Sequence, residues 1–144
     1  MQAYSPWMEK DIEMLEAVQR RAVRQVRGLH GSYEEKLKQC GLTLLKDRRV
    51  RGDLIQTYKI MHQIEMDGKR HNHATRNAII IRPGEEGREE RVDNMNLVKQ
   101  KANSDLRRHF YSLRVVDHWN DLPSSVKNAK DVNDFKNQYD AWSK

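Results

Sequence analysis

The sequence predicts a mainly α-helical protein: a small helical bundle followed by C-terminal helices, with a short β-hairpin available in the insert between them. Three observations lead there. Apolar residues recur at three- and four-residue spacing in the first and last thirds of the chain. Capping residues and glycines punctuate those stretches at helix-sized intervals. Between Glu65 and Asn103 the periodicity stops, and Asp67-Gly68, Pro83-Gly84, Gly87 and a mixed-charge run from Glu85 to Arg91 replace it. The chain therefore reads as a bundle over 1–64, a linker or irregular insert over 65–104, and a helical segment over 105–144.

The first helix is expected from Met8 to about Val26, burying one stripe of Met8, Ile12, Leu15, Ala22 and Val26, joined by Val18, with Gly28 and Gly31 ending it. Ser32-Tyr33-Glu34-Glu35 has capping-box form, since the serine can accept from the Glu35 amide while the glutamate reaches back. A short helix to about Cys40 follows, closed by Gly41. Thr43 is the expected cap of a longer helix to about Ile64, with Val50, Leu54, Tyr58 and Met61 on one face and Gly52 as a local weak point. In the insert, Ala78-Ile79-Ile80-Ile81 has β-branched strand character and can pair with Asn96-Leu97-Val98. Ser104 is the expected cap of a helix in which Leu106, Phe110, Leu113 and Val116 share a face up to the Leu122-Pro123 break. Asp131 caps the last helix, striped by Val132, Phe135, Tyr139 and Trp142.

Composition narrows the function classes. The chain has 144 residues and a net charge of +6, a balance that favours phosphate-rich partners or anionic surfaces. Its single cysteine, Cys40, excludes an internal disulfide framework and any multi-cysteine zinc site, pointing to an intracellular protein, nuclear or cytoplasmic. No apolar run approaches the roughly 20 residues that span a bilayer, and the N-terminus lacks the layout of a signal peptide.

The basic residues fall into three sets. On the first helix, Arg20, Arg24 and Arg27 lie together at about 100° per residue, opposite the apolar stripe, with Arg21 beside them. Arginine suits phosphate because its planar fork donates two hydrogen bonds and keeps its charge. The same helix carries Glu9, Asp11, Glu13 and Glu16 early and its arginines late, as the helix dipole alone would favour. Lys46, Arg48, Arg49 and Arg51 form a second set, scattered around the helix axis and diluted by Asp47 and Asp53. In the third, Arg107, Tyr111, Arg114 and His118 share one flank of the penultimate helix, an arrangement that suits base stacking or an ordinary half-buried helix.

Catalytic and metal readings find no support. His71-Asn72-His73 sits in a polar loop with no further ligands following, and Cys40 stands beside a turn glycine with no adjacent histidine. No phosphate-binding glycine loop or nucleophile elbow is present. No catalytic residue, metal ligand or cofactor is assigned. Trp119-Asn120-Asp121-Leu122-Pro123 reads as structural: a buried indole, an asparagine bonded to neighbouring backbone, and a proline that stops the helix.

The order Phe110-Tyr111-Ser112-Leu113-Arg114-Val115-Val116-Asp117-His118-Trp119-Asn120-Asp121-Leu122-Pro123, followed by Asp134-Phe135-Lys136, resembles the ending of the reverse-transcriptase polyproteins of LINE-type, non-LTR retrotransposons of the jockey and chicken-repeat groups. The resemblance extends upstream through Ser5-Pro6-Trp7, Lys10-Asp11-Ile12, Leu15 to Ala22, Ser32 to Leu37, Gly41-Leu42, Leu45, Arg48 to Ile55 and Thr75-Arg76-Asn77. It implies a thumb-like bundle and tail. It also implies that Arg20, Arg21, Arg24 and Arg27, with Arg48, Arg49 and Arg51, grip template and primer. The paired aspartates of the palm, the fingers and the endonuclease are absent from this sequence, so the resemblance implies no polymerase activity for the chain itself. Two expectations follow. The first is a non-catalytic module that binds RNA, DNA or their hybrid, with Arg107 and Arg114 as further contacts. The second is a co-opted helical module that binds a protein partner or associates with itself.

Overall fold

The computed structural model describes residues 5–62, 80–81 and 95–143. The described chain is mainly helical, as the periodicity requires. In order come α1 (Glu9–Gln25), α2 (Tyr33–Gln39), α3 (Leu45–Met61), β1 (Ile80–Ile81), β2 (Leu97–Val98), α4 (Asp105–Arg108), α5 (Tyr111–Asn120), α6 (Ser124–Lys127) and α7 (Val132–Trp142). The strands pair antiparallel, with Ile80 opposite Val98 and Ile81 opposite Leu97, so the strand pairing expected from the β-branched run forms over two residues on each side. His71-Asn72-His73 and Thr75-Arg76-Asn77 lie outside the described residues.

Two compact units divide after Gly52, inside α3 and not near residue 64. The first unit is organised by polar anchors. Ser32 closes its capping box with Glu35, as the spacing predicts, and Gly28, Gly31 and Gly41 adopt positive φ in the turns that separate the helices. At Gly31 a Cβ would also run into the Glu35 carboxylate, so the capping box itself requires a glycine there. The start of α3 differs from expectation. Among the described residues Thr43 offers only its carbonyl, to Gln19 Nε2 at 3.1 Å, while the first helical amide, Leu45 N, donates to Glu16 Oε2 on α1 at 3.0 Å. A carboxylate from a neighbouring helix thus does the work of a local cap.

The second unit has an apolar core. Leu54 and Tyr58 of α3, Leu97 of β2, Leu113, Val115, Val116 and Trp119 of α5, Val126 of α6 and Phe135 of α7 are buried. Tyr58 stacks on Phe135 with centroids 4.6 Å apart and donates its hydroxyl to the Ala129 carbonyl at 2.6 Å. Trp119 and Asn120 then tie α5 to β2. The indole donates to the Met95 carbonyl at 2.7 Å, while the Asn120 side chain accepts from Leu97 N and donates to Leu97 O. Lys127, buried at the end of α6, gives its ammonium to Asn96 Oδ1 and the Asn120 carbonyl. Pro123 ends this segment in an extended conformation and starts α6. Ser104 and Asp131 cap α4 and α7 as predicted.

One expected element is broken in two. The run from Leu106 to Val116 is not a single helix, because Phe110 is extended (φ −61°, ψ 147°) and serves as the N-cap position of α5. Leu106 and Phe110 are exposed as a result, and the face that α5 buries carries Tyr111, Leu113, Val115, Val116 and Trp119 instead.

Candidate nucleic-acid interface

The orientation of α1 decides where its arginines point. Its buried residues are Glu16 and Val23, flanked by half-buried Ile12, Gln19 and Arg20. Tyr33 of α2 donates to Glu16 Oε1 at 2.5 Å, and Gln19 Nε2 reaches Tyr33 Oη at 3.2 Å. Burial raises the Tyr33 phenol above its ordinary value, and the bond to the Glu16 carboxylate adds to the effect. These contacts turn α1 away from the expected orientation: of the stripe read from the sequence as buried, Ile12 is half-buried, and Met8, Leu15, Val18, Ala22 and Val26 are exposed.

The first basic set changes accordingly. Arg20 is held on the flank of the packed face, bonded to Glu13 Oε1 at 2.9 Å and lying over the Tyr33 ring at 5.2 Å. Arg24, one turn on, is exposed in the last turn of α1. Arg27 is also exposed but leaves the helix: α1 ends at Gln25, and Val26 is extended, so helical rotation does not place Arg27 beside Arg20. Arg21 is exposed a quarter turn round from Arg20. No ion-pair partner for Arg21, Arg24 or Arg27 is found among the described residues.

The second set belongs to the same unit. The bonds from Glu16 and Gln19 to Leu45 and Thr43 dock the start of α3 against the middle of α1, one residue from Arg20. Arg48 is exposed, Arg49 and Arg51 are half-buried, and Nη2 of Arg49 is buried with no hydrogen-bond partner among the described residues.

The third set does not assemble. Arg107 sits on α4, beyond the break, with its guanidinium 5.5 Å from the Phe110 ring. Tyr111 is buried and its hydroxyl meets Thr57 Oγ1 at 2.8 Å, while burial raises its phenol far above the ordinary value. Arg114 is committed to Asp53 through two bonds, Nε to Oδ2 at 2.8 Å and Nη2 to Oδ1 at 3.1 Å, with a third from Nη1 to the His109 carbonyl. A cleft of about 470 Å³ opens beside this pair, lined by Lys99, Arg108, His109, Leu113, Arg114 and Asp117. Its basic side chains are already paired: Lys99 with Asp117, Arg108 with Asp105 and Arg114 with Asp53.

Sequence reasoning missed Glu16 as the residue that sets the face of α1, and Asp53 as the partner of Arg114. Both are acids in helical stretches where a solvated role is usual, and only contacts distant in sequence reveal them. No helix among the described residues is long and apolar enough to cross a membrane. Comparisons with protein-family models, curated proteins and solved structures give no match.

Proposed function

We propose that the chain is a non-catalytic nucleic-acid-binding module, related to the thumb and tail of LINE-type reverse transcriptases, that holds template and primer phosphates through its first unit and acts inside the cell, in nucleus or cytoplasm. The observation that carries this reading is the concentration of exposed arginines there. Arg21, Arg24, Arg27 and Arg48 are solvent-facing on α1, the following turn and the first turns of α3. No acidic residue lies between Arg20 and His30 to offset them. Arg20 supports the set from the edge of the packed face, where Glu13 and Tyr33 hold its guanidinium in a fixed position.

The C-terminal basic residues play a lesser part. Arg114 serves the core of the second unit through Asp53, and Arg107 remains as an outlying contact. RNA, DNA and a hybrid duplex present the same phosphates, so the reading is tested first on a short RNA/DNA hybrid. Affinity is measured by fluorescence anisotropy across a salt series. Each arginine that displaces a counterion contributes about 0.7–0.9 to the slope of log affinity against log salt. Replacing Arg24, Arg27 and Arg48 with alanine is expected to lower that slope by about two. Absence of binding at low salt, or a slope unchanged in the triple variant, overturns the proposal.

A further inference from the structure

The exposed face of α1 points to a second site, on the side away from its packed residues. We infer that two copies of the chain associate through α1, the two helices running antiparallel. The first unit packs against one flank of this helix, through Glu16 and Val23 with half-buried Ile12 and Gln19, and leaves a further apolar stripe outside. Val18 is 68% exposed, Met14 58%, Met8 52% and Leu15 43%, and Ala22 lies exposed between them. An apolar stripe of this kind in water marks an interaction surface.

The spacing identifies its partner as another helix. Met8, Leu15 and Ala22 are seven apart, and Asp11, Val18 and Gln25 form a second series seven apart, offset by three. That is the 3.5-residue repeat of a two-helix seam. The large exposed side chains offer on the order of 500 Å² per copy before the flanking stems are counted, against about 800 Å² per partner for a standard interface. The pair is therefore a modest, concentration-dependent one.

Charge selects a second copy and sets its direction. Of the charges on α1, Asp11 lies in the stripe and Arg21 flanks it, whereas Glu16 is bonded within the first unit and Glu13 is paired with Arg20. A parallel pair would set Asp11 against Asp11 of the second copy. An antiparallel pair brings each Asp11 to the other copy's Arg21, and the stripe is thus complementary to itself. With the two-fold axis between residues 16 and 17, Leu15 packs on Val18 of the second copy and Met8 on its Gln25. Asp11, the one acid within the stripe, falls opposite Ala22 of the second copy and beside its Arg21. Arg20 and Arg24 stay on the far side and Arg21 alone borders both surfaces, so the association is tested without nucleic acid and phosphate binding with Arg21 in place.

Sedimentation equilibrium of the full chain without nucleic acid tests the inference. The mass is expected to rise from 17.1 kDa toward twice that value across the micromolar range. Val18→Glu and Ala22→Glu, each at an exposed position, should leave the protein monomeric with its circular dichroism unchanged. Asp11→Arg and Arg21→Glu should each weaken the dimer by about tenfold, and the double variant should recover most of that loss, because the swapped charges meet again across the axis. A monomer at every concentration overturns the inference. So does a dimer indifferent to both Val18→Glu and Ala22→Glu, and failure of the double variant to recover overturns the antiparallel arrangement.

Discussion

Replacing Glu16 with alanine should loosen the whole first unit, because this one carboxylate joins all three of its helices. It accepts from the Tyr33 hydroxyl on α2 at 2.5 Å and from the Leu45 amide at the start of α3 at 3.0 Å, and lies 3.4 Å from Gln19 Nε2 on its own helix. Removing a side-chain cap costs about 1 kcal/mol. Stripping the acceptor from a half-buried tyrosine hydroxyl costs a further 1–2 kcal/mol, roughly. The expected loss is about 2–3 kcal/mol, with Glu16→Gln recovering about half of it because the amide oxygen can still accept from Leu45. Native-state hydrogen exchange is the assay of choice, since it reads α1, α2 and the first turns of α3 separately from the second unit. The amides of α1 and of the first turn of α3 should lose protection together in Glu16→Ala. A loss under about 0.5 kcal/mol, or protection lost on α3 alone, would refute the view that Glu16 fixes the face α1 presents.

Three further outcomes follow from the second unit and from the tyrosines. The Asp53–Arg114 pair is mostly buried, 11% and 18% exposed at the side chains, so Asp53→Ala should cost about 2–4 kcal/mol in urea denaturation. A double-mutant cycle with Arg114→Ala should return a coupling of about 1–3 kcal/mol, and additive losses would show that the two side chains do not depend on each other. Asn120→Ala removes both bonds to Leu97 and should destabilise the second unit by about 2 kcal/mol, with little effect on exchange in α1. Alkaline pH should weaken both units. Burial raises the phenols of Tyr33, Tyr58 and Tyr111, so folding favours their protonated form. Their stabilisation is complete below the unfolded value of 10.0 and lost as pH climbs through the higher folded values. Absorbance of the phenolates on alkaline titration should show these three ionising late, and Tyr33→Phe should remove one late step.

What the sequence reveals divides by the distance over which the deciding contact acts. The caps at Ser32, Ser104 and Asp131 were legible because each bond spans at most three residues. The Trp119-Asn120-Pro123 segment was legible in kind, since a buried indole needs an acceptor and proline ends a helix, although the partners Met95 and Leu97 were not nameable in advance. The break at Phe110 was hidden, because Leu106, Phe110, Leu113 and Val116 keep helical spacing whether or not the chain turns between them. The ridge on α1 lost Arg27 for a similar reason: its rotation was computed on a helix that stops two residues earlier.

The larger failure concerns which side of α1 is covered, and it sharpens the case for a partner. Periodicity says that an apolar stripe will leave water, not what will cover it. Here bonds spanning 17 and 29 residues, from Glu16 to Tyr33 and Leu45, commit the other flank to the first unit. A helix that served only its own unit would gain nothing from keeping Leu15, Val18 and Ala22 in register along the opposite face, where exposed apolar area costs solubility. The amphipathic pattern and the polar anchors are therefore two separate specifications on one helix: the anchors fix α1 within its unit, and the stripe is the surface that the inferred association of two copies would cover.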